Sequence, residues 1–264
     1  MLRSVVDTVP VAVLVLAGVA FVLGIVLGGI WLVRRFVPAT REGFDAEVSS
    51  QMLGVVATLF GLLLAFVVVL AFQGYDDADQ NVRLEADSLA QVIRDSGAFE
   101  RPDQARLDAA IGAYVRAVVD DEWPLLRKGR SSDRAAQAVA QLFAVMQSIE
   151  PRTPAAQGFY DDSVRRLNDF VAARRSRLED ASGGLSAPLV GLLVLGTIVT
   201  LGYATLVGSR SAAFHAFGAG SIAIVLGFSL VVLLIYNYPY SGDLAIDSHP
   251  FREGVLAHFF SPRS

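Results

Sequence analysis

Residues 52–72 carry no charged side chain. An α-helix rises ~1.5 Å per residue, so about 20 apolar residues are needed to cross the hydrocarbon of a bilayer. This run therefore predicts a membrane helix at 51–73. Neither Pro nor a glycine cluster stops it. Charges begin at Asp76, yet Val82, Ala86, Leu89 and Ile93 continue an apolar stripe at helical spacing. One helix is expected to leave the membrane and run on into water, so that movement or pairing at its wet end is tied to its membrane end.

The rest of the chain agrees with a membrane setting. Hydrophobic residues make up 53% and charged residues 18%, against roughly 45–50% and 25% in soluble domains. A net charge of -4 offers no concentrated basic face, which excludes nucleic acid as a partner. There is no Cys, and the three His are scattered at His215, His249 and His258. That pattern predicts no disulfide framework, no thiolate chemistry, no metal site and no cofactor.

A first uncharged run covers 10–33 and ends in Arg34 and Arg35. It is too long for a secretory h-region of about 7–15 residues and ends in no small-residue cleavage site, so it predicts a retained membrane helix. Gly24 and Gly28 in it form a G-x-x-x-G pair, which suits either a contact between copies or close packing inside one subunit. Residues 34–50 form a polar connection with Pro38 and Arg41. After the lobe, 186–208 and 212–238 read as a third and a fourth membrane helix, turning at Ser209-Arg210, with a small-residue stripe at Ala219, Ala223 and Gly227.

Residues 76–184 read as a soluble helical lobe. Pro102-Asp103 opens a helix with Leu107, Ile111, Val115 and Val118 on one face, expected to end near Glu122-Trp123-Pro124 because helix is disfavoured before Pro. Ser132-Asp133 opens another with Val139, Leu142, Phe143, Met146 and Ile149 inward. Thr153-Pro154 opens a last one with Tyr160, Val164, Leu167, Val171 and Leu178 inward. Gly183-Gly184 breaks it. The fold class is thus an all-α membrane protein with four transmembrane helices and a helical bundle inserted between the second and third. The domains are 1–75 with two membrane helices, the lobe at 76–184, 185–240 with two more, and a C-terminal tail at 241–264. Trp123 suits either a subunit contact or the lobe core.

Four crossings put the lobe and both termini on one side. Arg34, Arg35, Arg41 and Arg210 lie in the two short loops, while Arg3, Arg83, Arg174, Arg175, Arg177 and Arg252 flank the other face. This balance leans towards a cytoplasmic lobe at the cell membrane.

The chain shows no Gly-x-Ser-x-Gly, no His-Glu-x-x-His and no phosphate-binding loop, so neither an enzyme nor an ATP-driven pump is expected, and no catalytic residue is assigned. The spans hold no Asp, Glu, Lys or Arg, which argues against coupled transport. They do hold hydroxyls and amides, among them Thr58, Gln73, Thr197, Thr200, Ser221 and Ser229. A pore shared by several copies can work with such groups and hydrophobic constrictions. The alternative for each hydroxyl is a bond to its own helix at i-4. The acidic pairs Asp76-Asp77, Asp120-Asp121 and Asp161-Asp162 read as solvated helix ends, and at a pore mouth they would favour cations.

Four stretches carry a family resemblance: Leu63-Leu-Ala-Phe66-Val-Val-Val, then Tyr75 with Ala78 and Glu85-Ala86, then Tyr114 to Pro124, and Asn237-Tyr-Pro-Tyr-Ser-Gly-Asp243. In these the chain resembles, over nearly its whole length, the DUF4239 family of uncharacterised membrane proteins, described as bestrophin-like. The more distant resemblance to bestrophins implies a homo-oligomeric, pentameric ion channel in the lipid bilayer with cytosolic termini. It also implies a second membrane helix lining the pore, with Gly54, Thr58, Leu62 and Phe66 on the lumen face. The stretch after the last helix, with Pro239, Tyr240, Asp243 and Asp247, matches the bestrophin pattern in part. Its two acids fall short of the six to eight oxygens calcium takes, and no calcium site is expected. A function of another class is a non-conducting membrane-anchored scaffold or sensor whose lobe binds a partner.

Overall fold

A computed structural model describes residues 2–36, 46–182, 184–207 and 211–261. Pro38 and Arg41 of the first polar connection, Gly183, and the Ser209-Arg210 turn lie outside the described residues. The helices are α1 (Leu2–Thr8), α2 (Val11–Phe36), α3 (Ala46–Asp95), α4 (Arg101–Arg116), a π-helix (Ala117–Glu122), α5 (Trp123–Leu126), α6 (Asp133–Gln147), α7 (Pro154–Ser182), α8 (Ala187–Leu206) and α9 (Ala212–Tyr236). Short 3₁₀ turns follow at Ser96–Ala98, His249–Arg252 and Gly254–Phe259. Among the described residues there is no strand. The expected outgrowth of the second membrane helix is one continuous element, since α3 is 50 residues long.

Among the described residues, four helices are long and apolar enough to cross a membrane. The chain divides into two compact units, each with its own core. One comprises residues 8–74 and 184–237. Its core joins Val26 and Ile30 of α2, Phe60, Leu64, Val67 and Ala71 of α3, Leu193, Leu201 and Ala204 of α8, and Ala219, Ala223, Leu226 and Leu233 of α9. Lipid tails are as apolar as these side chains, so small residues decide where helices meet. A Cβ on Gly227 would stand 3.1 Å from the Val19 Cα, and one on Gly18 would overlap the Val231 side chain. The Ala219, Ala223 and Gly227 stripe is therefore a packing face within the chain. Thr58, Thr197, Ser221 and Ser229 each donate to the carbonyl four residues earlier, as expected for hydroxyls with no other acceptor at hand.

The other unit comprises residues 1–7, 75–183 and 238–264. Here Ala78, Val82 and Leu89 of α3 meet Leu107, Ile111, Tyr114 and Val115 of α4, Leu142 and Met146 of α6, and Leu167 and Phe170 of α7. Two helix starts follow the sequence closely: Ser132 Oγ accepts from Ala135 N at 3.3 Å and Thr153 Oγ1 from Ala156 N at 3.1 Å. The helix expected to end before Pro124 continues through the π-helix into α5. Pro124 has no N–H to give to the Asp120 carbonyl and its ring would press on it. A widened turn relieves that conflict, and Trp123 N–H reaches back to Val118 O instead. On α7, Val171 is 36% exposed. The buried face runs instead through Ser163, Leu167, Phe170, Arg174, Arg177 and Ala181.

The C-terminal tail belongs to this core. Tyr240, Ile246, Phe251 and Leu256 are buried in it. The chain turns at Gly242, whose φ of +84° suits glycine and where a Cβ would stand 2.6 Å from Val6 O of α1.

Candidate functional site

Two features of α3 bear on function, one on each side of the helix. The packed side follows a spacing of four and three through Phe60, Leu64, Val67 and Ala71, then Ala78, Val82, Glu85 and Leu89. The opposite side of its apolar half has no packing partner among the described residues. Leu62 is 60% and Phe66 66% exposed, Gly54 and Thr58 are also exposed, and a Cβ on Gly54 or Gly61 would meet nothing within 4 Å. The four sequence candidates thus share one unpacked face. Thr58 Oγ1 donates to Gly54 O at 2.7 Å, which leaves the hydroxyl oxygen able to accept.

Glu85 lies on the packed side, fully buried, within a cluster of ionised groups. Arg177 Nε donates to Glu85 Oε2 at 2.6 Å and its Nη2 to Glu85 Oε1 at 3.0 Å, and the same Nη2 donates to Glu122 Oε2 at 2.8 Å. Arg174 Nη2 donates to Glu122 Oε1 at 2.8 Å, an oxygen that also accepts from Ser132 N at 3.1 Å. The Tyr114 hydroxyl donates to Glu85 Oε1. The Arg177 guanidinium lies over the Trp123 ring at 5.3 Å and that of Arg174 over Tyr114 at 5.8 Å. Glu85, Glu122 and Arg177 are 0% exposed and Arg174 6%.

Burial works against the charge on Arg177, but Glu85, Tyr114 and Glu122 outweigh it and hold its pKa well above the ordinary value. Burial, helped by Glu85, pushes the Tyr114 phenol well above its usual range. Both carboxylates spend their oxygens on protein donors, out of solvent. The cluster joins three distant parts of the chain, around Glu85, Glu122 and Arg174 to Arg177.

The other sequence candidates are dispersed. Gly24 and Gly28 are exposed on α2, and a Cβ on either meets nothing within 4 Å among the described residues. Trp123 is 9% exposed, donates Nε1–H to Ile246 O at 3.2 Å and packs edge-on against Tyr240 and Phe251. It is a member of the core of its unit. Pro239 O accepts from Ile246 N at 2.8 Å, and Tyr240 OH donates to Ala78 O at 3.3 Å. Asp243 and Asp247 are exposed, and Asp247 Oδ1 accepts from His249 N at 2.6 Å. Among the described residues no three His, Asp or Glu side chains gather as a metal set. Pro239 and Tyr240 of the post-helix stretch thus bond within the unit that holds the tail. Arg174 and Arg177, counted in the sequence as membrane-flanking cations, are core residues. The signal that betrays the cluster is a charge inside an apolar stripe: Val82, Glu85, Leu89 on α3 and Leu167, Phe170, Arg174, Arg177 on α7.

Comparison with curated proteins finds no match, and comparison with solved structures finds none either. The model of one protein family, described as the Bestrophin-like domain, matches residues 20–251. With four helices able to cross a membrane and a family match over most of its length, this chain is a membrane protein of the bestrophin-like family.

Proposed function

We propose that the chain assembles with copies of itself into an ion channel of the cell membrane, with α3 lining the pore. The helical lobe, inserted between the second and third membrane helices, and both termini face the cytoplasm. The observation that carries this reading is the unpacked α3 face with Gly54, Thr58, Leu62 and Phe66. A helix that packs one side on its neighbours and leaves small, hydroxyl and bulky apolar groups on the other has what a shared lumen needs. Weak polar groups pass ions, and a ring of Leu62 or Phe66 can gate by dewetting. Family membership supports the same reading, as does the open Gly24 and Gly28 face, which allows close approach of another copy. Five copies is the number the bestrophin likeness suggests.

The test is ion flux from liposomes holding the purified protein, beside variants Thr58→Trp and Leu62→Trp. Flux in the parent and its loss in both variants is the expected result. A parent that forms a closed ring yet passes no ion would leave the scaffold or sensor reading in its place. So would a parent that cross-links only as monomer or dimer.

A further inference from the structure

The charge cluster has more hydrogen-bond donors than acceptors. Each of its four carboxylate oxygens already accepts from a protein donor, yet Arg174 Nη1 and Arg177 Nη1 are both buried with no acceptor among the described residues. Each is a terminal amino group with two N–H bonds, and buried donors of charged groups are costly to leave unmet. We infer that these two amino groups bind water inside the lobe, as a built internal hydration site at the junction of α3, α7 and the π-helix.

The charge sum selects the ligand. Glu85 and Glu122 cancel Arg174 and Arg177, so the cluster is formally neutral as it stands. A halide or other anion would satisfy the donors but leave a net negative charge in the interior, which burial penalises heavily. Water supplies acceptor lone pairs without charge. A groove of about 690 Å³ lies between α3 and α7, the two helices that carry Glu85 and the arginines. Its lining includes Ser88, three residues from Glu85, and Ala173 and Ser176, each adjacent to one of the two arginines.

The test is a structure of the full chain at a resolution that shows ordered water, from crystals grown in bromide. The expected result is a peak about 2.7–3.2 Å from Arg174 Nη1 or Arg177 Nη1, without anomalous signal at the bromine edge. In the Arg174→Lys variant, which keeps the charge but has a single ammonium group, the peak beside residue 174 disappears while any peak beside Arg177 stays. An anomalous bromide peak at the same place overturns the inference. So does an interior without solvent density in which both amino groups meet protein oxygens.

Discussion

Changing Glu122 to Gln tests whether the buried cluster holds the lobe together. The substitution keeps the volume but replaces a carboxylate that takes three donors: Arg174 Nη2 and Arg177 Nη2, each at 2.8 Å, and Ser132 N at 3.1 Å. The amide has one oxygen, so whichever way it turns, its NH₂ faces another donor. One side of the site then loses its acceptor and the other loses its charge assistance, each such bond being worth about 1.5–3 kcal/mol. The cluster also goes from neutral to a buried positive charge. Together these predict a loss of about 3–5 kcal/mol, the range seen when one partner of a buried pair is removed. At ~2–4 °C per kcal/mol for a unit of this size, the lobe should melt about 6–20 °C lower. The assay is thermal unfolding of the full chain in detergent, followed by Trp123 fluorescence in a Trp31→Phe background, since these are the two tryptophans. Arg175→Gln breaks only the exposed pair with Glu179 and should leave the melting temperature unchanged. A shift below about 2 °C for Glu122→Gln, or one no larger than in Arg175→Gln, would refute the account.

Further outcomes follow from the same contacts. Arg177→Lys keeps the charge but loses the side-on pairing with Glu85, and it should cost about 2–4 kcal/mol in the same assay, far from a conservative change. Gly227→Leu drives a side chain into the Val19 backbone and should abolish folded protein in size-exclusion profiles, whereas Gly24→Ala with Gly28→Ala should leave the fold of the single chain intact. Burial raises the phenols of Tyr114 and Tyr240 above their usual value of 10.0. The unfolded chain therefore releases those protons first. The stability they contribute is complete below pH 10 and falls above it by about 1.4 kcal/mol per pH unit for each phenol. Denaturant melts between pH 8 and about 12 check this, and a flat profile would contradict it.

The sequence by itself settled the four apolar runs, the all-helical class and the continuity of α3, because each is written in local spacing: uncharged length, a stripe at three and four, Ser or Thr before a helix. The starts at Ser132 and Thr153 are of this kind. Tertiary structure alone decided which charged residues are inside. In the chain, Glu85 and Arg177 each interrupt an apolar stripe, but a stripe does not name the distant charge that meets each of them. Those partners stand 92 residues apart for Arg177 and Glu85 and 55 apart for Arg177 and Glu122. The same holds for Phe170 displacing Val171 from the core, and for a tail that looks polar yet buries Phe251 and Leu256. Local chemistry dictates the helices. Which face of each is inside follows from long-range packing that neutralises charge and fills volume at once.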